Sequence, residues 1–128
     1  MIDHTGVNVT NPQKSRAFYE AALLPIGYSV LAEIPKEHTG GTVVLGFGEP
    51  PKPDFWVAEG DPKGLQIHIA FTAKTRAQVD AFYKAAIAAG GVDNGAPGLR
   101  PHYHPNYYGA FVRDPDGHNV EVVCHLPQ

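Results

Sequence analysis

The chain has 128 residues, a size typical of one domain, and its hydrophobic content of 43% and formal net charge of −3 are ordinary for a globular protein. This balance excludes a protein that holds nucleic acid by charge, and no apolar run approaches the roughly 20 residues needed to cross a bilayer. One cysteine, Cys124, excludes an internal disulfide, and the N-terminus lacks a basic stretch followed by an apolar one. We therefore expect a cytoplasmic protein that binds neither nucleic acid nor membrane.

The first half of the chain is expected to fold as β-α-β-β-β. Val7 and Val9 alternate with polar residues, as in a half-buried strand, and Asn11 followed by Pro12 is typical of a helix start. Apolar residues then recur at helical spacing until Gly27. The predicted elements are a strand at 4–10, a helix at 12–24 and strands at 28–34, 42–48 and 54–58.

The second half is expected to follow the same order with one irregular segment. The Gly, Pro and His content of residues 92–105 favours a long loop over a strand, and the run 114–117 has the Pro and Gly placement of a tight turn. The predicted elements are a strand at 65–72, a helix at 76–89, the loop at 92–105 and a final hairpin with strands at 107–112 and 119–123.

The two halves nearly repeat each other at an offset of 64 residues. Seven of the 24 columns from position 4 to 27 are identical, where unrelated segments would give about one or two. The repeat begins by matching His4 with His68. We predict one domain, 1–128, built from modules at 1–60 and 65–128, with a histidine on the first strand of each module.

Paired histidines at equivalent positions can share a metal ion, and a carboxylate would complete the site. Glu121 lies in an otherwise apolar strand, where an unpaired buried carboxylate would cost several kcal/mol. His4, His68 and Glu121 are therefore the predicted ligands, and their open positions suit catalytic Fe(II), Mn(II) or Zn(II). The alternative for Glu121 is an ordinary solvent-facing residue on an edge strand.

The segment 100–108 is dense in groups that bind or transfer protons. We predict catalytic roles beside Glu121 for His102, His104 and Tyr108. Substrate contacts are predicted for Arg100, Tyr107 and, from the first module, Trp56. The alternative is a surface loop whose aromatic residues cover the core, and the two loop histidines could also bind a metal ion by themselves.

Two further histidines are expected to be solvent-exposed. His38 precedes a flexible Thr-Gly-Gly run, and His118 follows the glycine of the predicted hairpin turn.

The chain resembles the vicinal oxygen chelate superfamily, the glyoxalase and bleomycin-resistance-like proteins. The resemblance covers essentially the whole chain and is carried by segments 2–9, 17–19 and 66–71, and above all by FVRDPDGHNVE at 111–121. It implies an α+β fold in which two βαβββ modules form an open, cup-shaped mixed sheet around a divalent metal. His4, His68 and Glu121 fall on the ligand positions of that superfamily.

Glyoxalase I-like members use a fourth protein ligand late in the first module. The offset of 64 places it at Val57, and a shift of one places it at Trp56, neither of which can ligate. The remaining three-ligand set is more similar to extradiol dioxygenases or fosfomycin-resistance transferases.

The resemblance implies a metal-dependent enzyme that binds a small substrate through two adjacent oxygens, by lyase, isomerase, transferase or dioxygenase chemistry, with Fe, Mn, Zn or Ni. It also implies a homodimer. The alternative is a metal-free protein of the bleomycin-resistance type that sequesters an aromatic or cationic ligand.

Overall fold

A computed structural model describes all residues, 1–128, and contains two βαβββ modules. The first consists of β1 (Thr5–Val9), α1 (Pro12–Leu23), β2 (Ser29–Glu33), β3 (Val44–Gly48) and β4 (Phe55–Glu59). The second consists of β5 (His68–Thr72), α2 (Arg76–Ala88), β6 (Val92–Leu99), β7 (Tyr108–Arg113) and β8 (Asn119–Cys124). Short 3-10 helices cover Leu24–Ile26 and Lys36–His38. The predicted α+β class and module order are confirmed.

Each module forms its own four-stranded mixed sheet. The strand orders, β1-β4-β3-β2 and β5-β8-β7-β6, are equivalent, and in each sheet the first and last strands of the module run parallel. The two sheets remain separate and open. Gly6 pairs with Trp56 in the first sheet, and Ala70 pairs with Glu121 in the second. Because Gly6 and Ala70 are 64 residues apart, the register makes Trp56 the structural counterpart of Glu121.

Capping and apolar spacing set the two helices. The Asn11 side chain accepts from the Lys14 amide at 3.0 Å to open α1, while Thr75 and Gln78 form a reciprocal capping box at the start of α2. Gly27, with φ of 88°, ends the 3-10 turn that follows α1. The buried faces are Phe18, Tyr19, Ala22 and Leu23 of α1, and Val79, Phe82 and Ala86 of α2. The repeated Ala-Phe-Tyr motif is therefore mainly core.

One hydrophobic core extends through both modules, and the two helices contact each other within it. Phe71 of β5 joins the modules by edge-to-face contacts, with ring centroids 5.2 Å from Phe55 and 5.4 Å from Tyr28. Neither module could bury these rings alone. No helix in the structure is both long enough and apolar enough to span a membrane.

The turn before β8 fastens the second module to the first, and we call its contacts the inter-module clasp. Tyr19 donates to buried Asp114 at 2.6 Å, and the Thr10 hydroxyl donates to Asp116 at 2.8 Å. His118 accepts from the Ile67 amide through Nδ1 at 3.0 Å, so its Nε2–H donates to the carbonyl of Asn8 at 2.9 Å.

The prediction that His118 is exposed is wrong, since only 1% of the residue is accessible. The turn lies against the other module rather than in solvent. His38 is exposed, as predicted.

The predicted loop at 92–105 is also wrong over its first half, because β6 occupies Val92–Leu99. This strand pairs with β7 at the edge of the second sheet, with register shifts on either side of Gly95. Such irregularities break the alternation by which a strand is recognised. At the other end of the chain, His4 lies one residue before β1 rather than on it.

Candidate metal and substrate site

Glu121 lies on β8, between β5 and β7, and is only 2% exposed. The alternative of a solvent-facing residue on an edge strand is therefore wrong. Its Oε1 lies 3.2 Å from His68 Nε2, and its Oε2 accepts a hydrogen bond from the Tyr107 hydroxyl. Burial, followed by this hydrogen bond, raises the pKa of Tyr107. The tyrosine thus stays a proton donor while the carboxylate stays an acceptor.

His68 is oriented by a backbone carbonyl. Its Nδ1 lies 3.0 Å from the carbonyl oxygen of Asn119, which can only accept, so Nδ1 carries a proton. In the neutral ring the Nε2 lone pair then faces Glu121. Two electron-rich atoms in this arrangement require a cation between them, either a proton on Nε2 or a metal ion. Ligands at about 2.0–2.2 Å from a metal ion and at a right angle would lie roughly 3 Å apart, which matches the observed separation.

The pair opens into a cavity of about 610 Å³ in the second module. Its lining residues are His68, Tyr103, His104, Tyr107, Phe111, Asn119 and Glu121. Gly109 leaves room for the pair: a Cβ there would lie 3.2 Å from the Tyr107 ring and 3.3 Å from Glu121 Oε2. The cavity therefore combines aromatic walls with one buried carboxylate.

His4 does not reach this cavity. It lines a different groove of about 710 Å³, where its Nδ1 lies 2.7 Å from Asp3 Oδ1 and its side chain is 59% exposed. Hydrogen bonds from Lys52 and then His4 lower the pKa of Asp3. No three His, Cys, Asp or Glu side chains in the chain lie close enough together to hold a metal. A single chain thus brings together two of the three predicted ligands, His68 and Glu121.

The first module carries no carboxylate at the position equivalent to Glu121. Trp56 occupies it, and its indole lies over Gly46, where an added Cβ would come within 2.8 Å of the ring. Trp56 is half-buried and lines neither cavity. Val57, the position reached by the offset of 64, is 1% exposed and packs in the core.

The remaining predicted residues are placed differently from one another. His102 stacks on Tyr103 outside the cavity, with ring centroids 4.3 Å apart. Tyr108 points to the opposite face of β7, where its hydroxyl donates to Asp80 of α2 at 2.6 Å, a hydrogen bond that raises its pKa. Arg100 donates to two carbonyls of its own segment and lies over the ring of Phe111.

One residue near the cavity was not predicted. His125 follows β8, and its Nδ1 lies 2.8 Å from Nε2 of His104. The two histidines are 21 residues apart, and no spacing motif relates them. Only the return of β8 alongside β7 brings them together.

Comparisons with known proteins agree with this architecture. The family described as Glyoxalase/Bleomycin resistance protein/Dioxygenase superfamily matches residues 1–122. A glyoxalase/bleomycin resistance protein from Albidiferax ferrireducens T118 is similar at 26% identity and a TM-score of 0.74, over 95% of this chain and 97% of that one. No curated protein matches the chain.

Two further structures support the fold alone. A glyoxalase/bleomycin resistance protein/dioxygenase family enzyme from Burkholderia phytofirmans PsJN has 20% identity and a TM-score of 0.70, over 98% of both chains. A glyoxalase I mutant from Zea mays has 21% identity and a TM-score of 0.72, over 95% of this chain and 46% of that one. The chain belongs to the glyoxalase/bleomycin resistance protein/dioxygenase superfamily.

Proposed function

We propose that the protein is a divalent-metal-dependent enzyme that binds a small substrate through two adjacent oxygens. The observation that carries the proposal is the orientation of His68, whose protonated Nδ1 directs Nε2 at buried Glu121 from 3.2 Å. Metal-binding histidines are commonly held in this way, with the second ring nitrogen donating to a carbonyl or carboxylate. His68 and Glu121 would hold the metal ion.

The third ligand in this proposal is His4 of a second copy of the chain. His4 has the same preparation as His68, because its Nδ1 is held by Asp3 and its Nε2 is left free. The register places the two histidines at equivalent points of equivalent sheets, yet within one chain they line separate cavities. A homodimer with a twofold axis would supply each cavity with a histidine from the other subunit.

A bound divalent ion would act as a Lewis acid that stabilises negative charge on substrate oxygen. The chain's own groups would orient the substrate and move protons. Tyr107 is the best-placed donor, because its hydroxyl lies in the cavity beside Glu121, and Tyr103 and Phe111 offer apolar faces to a small carbon skeleton. His102, His104 and Tyr108 remain proposed acid-base groups, although only His104 lines the cavity.

Metal content and subunit mixing test this proposal. The protein purified without chelator should carry about one metal ion per chain, and His4→Ala and His68→Ala should each lose it. Refolding the two variants together should recover about one quarter of the sites, because half of the dimers are mixed and each mixed dimer keeps one intact site. His38→Ala, at an exposed histidine, is the control.

A site built within one chain would give no recovery on mixing. Absence of metal from the wild-type protein, together with unchanged stability of His4→Ala, would overturn the metal-dependent function.

A second function, metal-free binding of an aromatic or cationic ligand, is favoured by one observation. Glu121 is already satisfied by a protonated His68 and by Tyr107, so the cavity is chemically complete without a metal. Calorimetric titration with aromatic cations in the presence of a chelator distinguishes the two functions. Tight binding under those conditions supports sequestration.

A further inference from the structure

The connection between β6 and β7, residues 100–107, carries three of the side chains that line the Glu121 cavity. These are Tyr103, His104 and Tyr107. The segment closes on itself through backbone hydrogen bonds, from the Arg100 amide to the Tyr107 carbonyl at 2.7 Å and from the Tyr107 amide to the His104 carbonyl at 3.1 Å. Its side-chain attachment to the end of β8 is the contact of His104 with His125.

The direction of that contact follows from its neighbours. The backbone N–H of Asn106 donates to His104 Nδ1 at 3.1 Å, so this nitrogen carries no proton. Neutral His104 is therefore protonated on Nε2, which donates to Nδ1 of His125 at 2.8 Å. His125 must then carry its own proton on Nε2. Both lone pairs of the two rings are occupied by hydrogen bonds.

This pair also confines Tyr107. The two imidazoles stack, with centroids 5.1 Å apart, and the Tyr107 ring stands nearly perpendicular to each, at 5.5 Å from His104 and 5.3 Å from His125. The hydroxyl of that ring donates to Glu121. A displacement of either imidazole would change the position of the tyrosine that holds the buried carboxylate.

We propose that His125 is a positioning residue: through His104 it latches segment 100–107 onto the end of β8 and holds Tyr107 on Glu121, and protonation of the pair opens the latch. An added proton on either ring must take a lone pair that now accepts a hydrogen bond, from Asn106 or from His104. The latch is therefore closed when both imidazoles are neutral.

The groups around the pair allow this response in mildly acidic solution. Tyr107 and Tyr103 face the pair as neutral rings, His102 stacks on the far side of Tyr103, and Arg100 and Glu121 are the charged groups near Tyr107. Histidine side chains titrate near pH 6.5 in the absence of strong perturbation. We expect the latch to open as the pH falls from about 7.5 to about 5.

Nitrogen-15 NMR of the full chain tests the latch directly. At pH 7.5, His104 should show the Nε2–H form, and the Asn106 amide should be protected from exchange. On acidification or in His125→Ala that protection should fall by about fivefold, as expected for the loss of one hydrogen bond. His125→Asn should retain the protection, because its side-chain oxygen can replace Nδ1 as the acceptor. His38→Ala is the matched control.

An Nδ1–H form of His104 would overturn the proposal. Asn106 exchange that is unaffected by His125→Ala, or a His125→Asn variant that behaves like His125→Ala, would do the same.

The positioning role rests on the function proposed above and has its own readout. Metal affinity in His125→Ala should fall several-fold at pH 7.5 and equal that of the wild type at pH 5, where the latch is open in both. Equal affinity at both pH values would overturn the positioning role. If the wild-type protein binds no metal, the proposed enzyme function fails, and the NMR experiment still decides whether the latch exists.

Discussion

The two modules share one backbone plan but differ on the sheet face that carries the proposed chemistry. In the first sheet Trp56 pairs with Gly46, and in the second Glu121 pairs with Phe111. A large indole above a glycine is thus replaced by a carboxylate beside a phenyl ring. The comparison teaches that duplication preserved strand order and register while the identity of two facing residues decided where a polar cavity could form.

Each arrangement stabilises its own occupant. Trp56 needs no polar partner in the plane of the sheet and fills the space that a side chain at Gly46 would take. Glu121 is almost fully buried and requires His68 and Tyr107 as partners. The first module therefore contributes at most His4 to the proposed metal site, and the second contributes its buried part.

The largest expected effect comes from placing a carboxylate in the first module. Val57→Glu should prevent folding, because an unpaired charge in the core costs several kcal/mol. Trp56→Glu at the adjacent position should leave the protein folded and tighten metal binding by about tenfold, since it restores the pseudo-symmetric ligand. Circular dichroism and metal titration measure the two effects. A folded Val57→Glu paired with an unfolded Trp56→Glu would contradict the register-based equivalence.

Removing the carboxylate of the second module should abolish metal binding while leaving the fold intact. Glu121→Gln keeps the size of the side chain and its hydrogen bond to Tyr107, but we expect it to weaken metal binding by more than about 100-fold, the upper end of effects from indirect ligands. Trp56→Phe, the matched change in the first module, should alter metal affinity little. Isothermal titration with Zn(II) or Mn(II) compares them, and similar losses in both variants would show that the modules contribute equally.

The clasp between the modules should contribute more to stability than an exposed histidine does. His118→Ala leaves the buried Ile67 amide and Asn8 carbonyl without their partner, so we expect a loss of about 2–4 kcal/mol in the free energy of unfolding. His38→Ala should change it by less than about 0.5 kcal/mol. Urea denaturation measures both, and a His118 variant as stable as the control would show that the turn only rests on the first module.

These contrasts also show which parts of the molecule local patterns could predict. Alternation and helical spacing predicted both βαβββ modules, and an apolar strand interrupted by one glutamate predicted the burial of Glu121. Two predictions failed where distant parts of the chain meet. His118 is buried by contacts with the other module, including Asn8 110 residues away, and β6 is interrupted at the sheet edge by register shifts beside Gly95.

The equivalence of Trp56 and Glu121 was only a second choice from sequence for a physical reason. Their separation is 121 minus 56, or 65 residues, whereas the first strands and helices repeat at 64. The second module therefore has one residue more between its helix and last strand, and only the strand register places it. Likewise, His125 meets His104 through the return of β8, a relation without a local signature.

The smallest expected effect concerns a tyrosine-carboxylate pair that each module contains, Tyr28 with Asp54 and Tyr107 with Glu121. Burial, followed by the hydrogen bond, raises the pKa of both tyrosines above the unfolded value of 10.0. The folded state therefore holds these protons more tightly, so their contribution to stability is complete below pH 10 and is lost as the pH rises through the folded pKa values. Urea denaturation between pH 8 and 11 should show stability falling at the alkaline end, and Tyr28→Phe and Tyr107→Phe should each make that fall shallower. A change confined to one variant would show that the other pair is open to solvent, and it would extend the asymmetry of the modules from their carboxylates to the tyrosines that hold them.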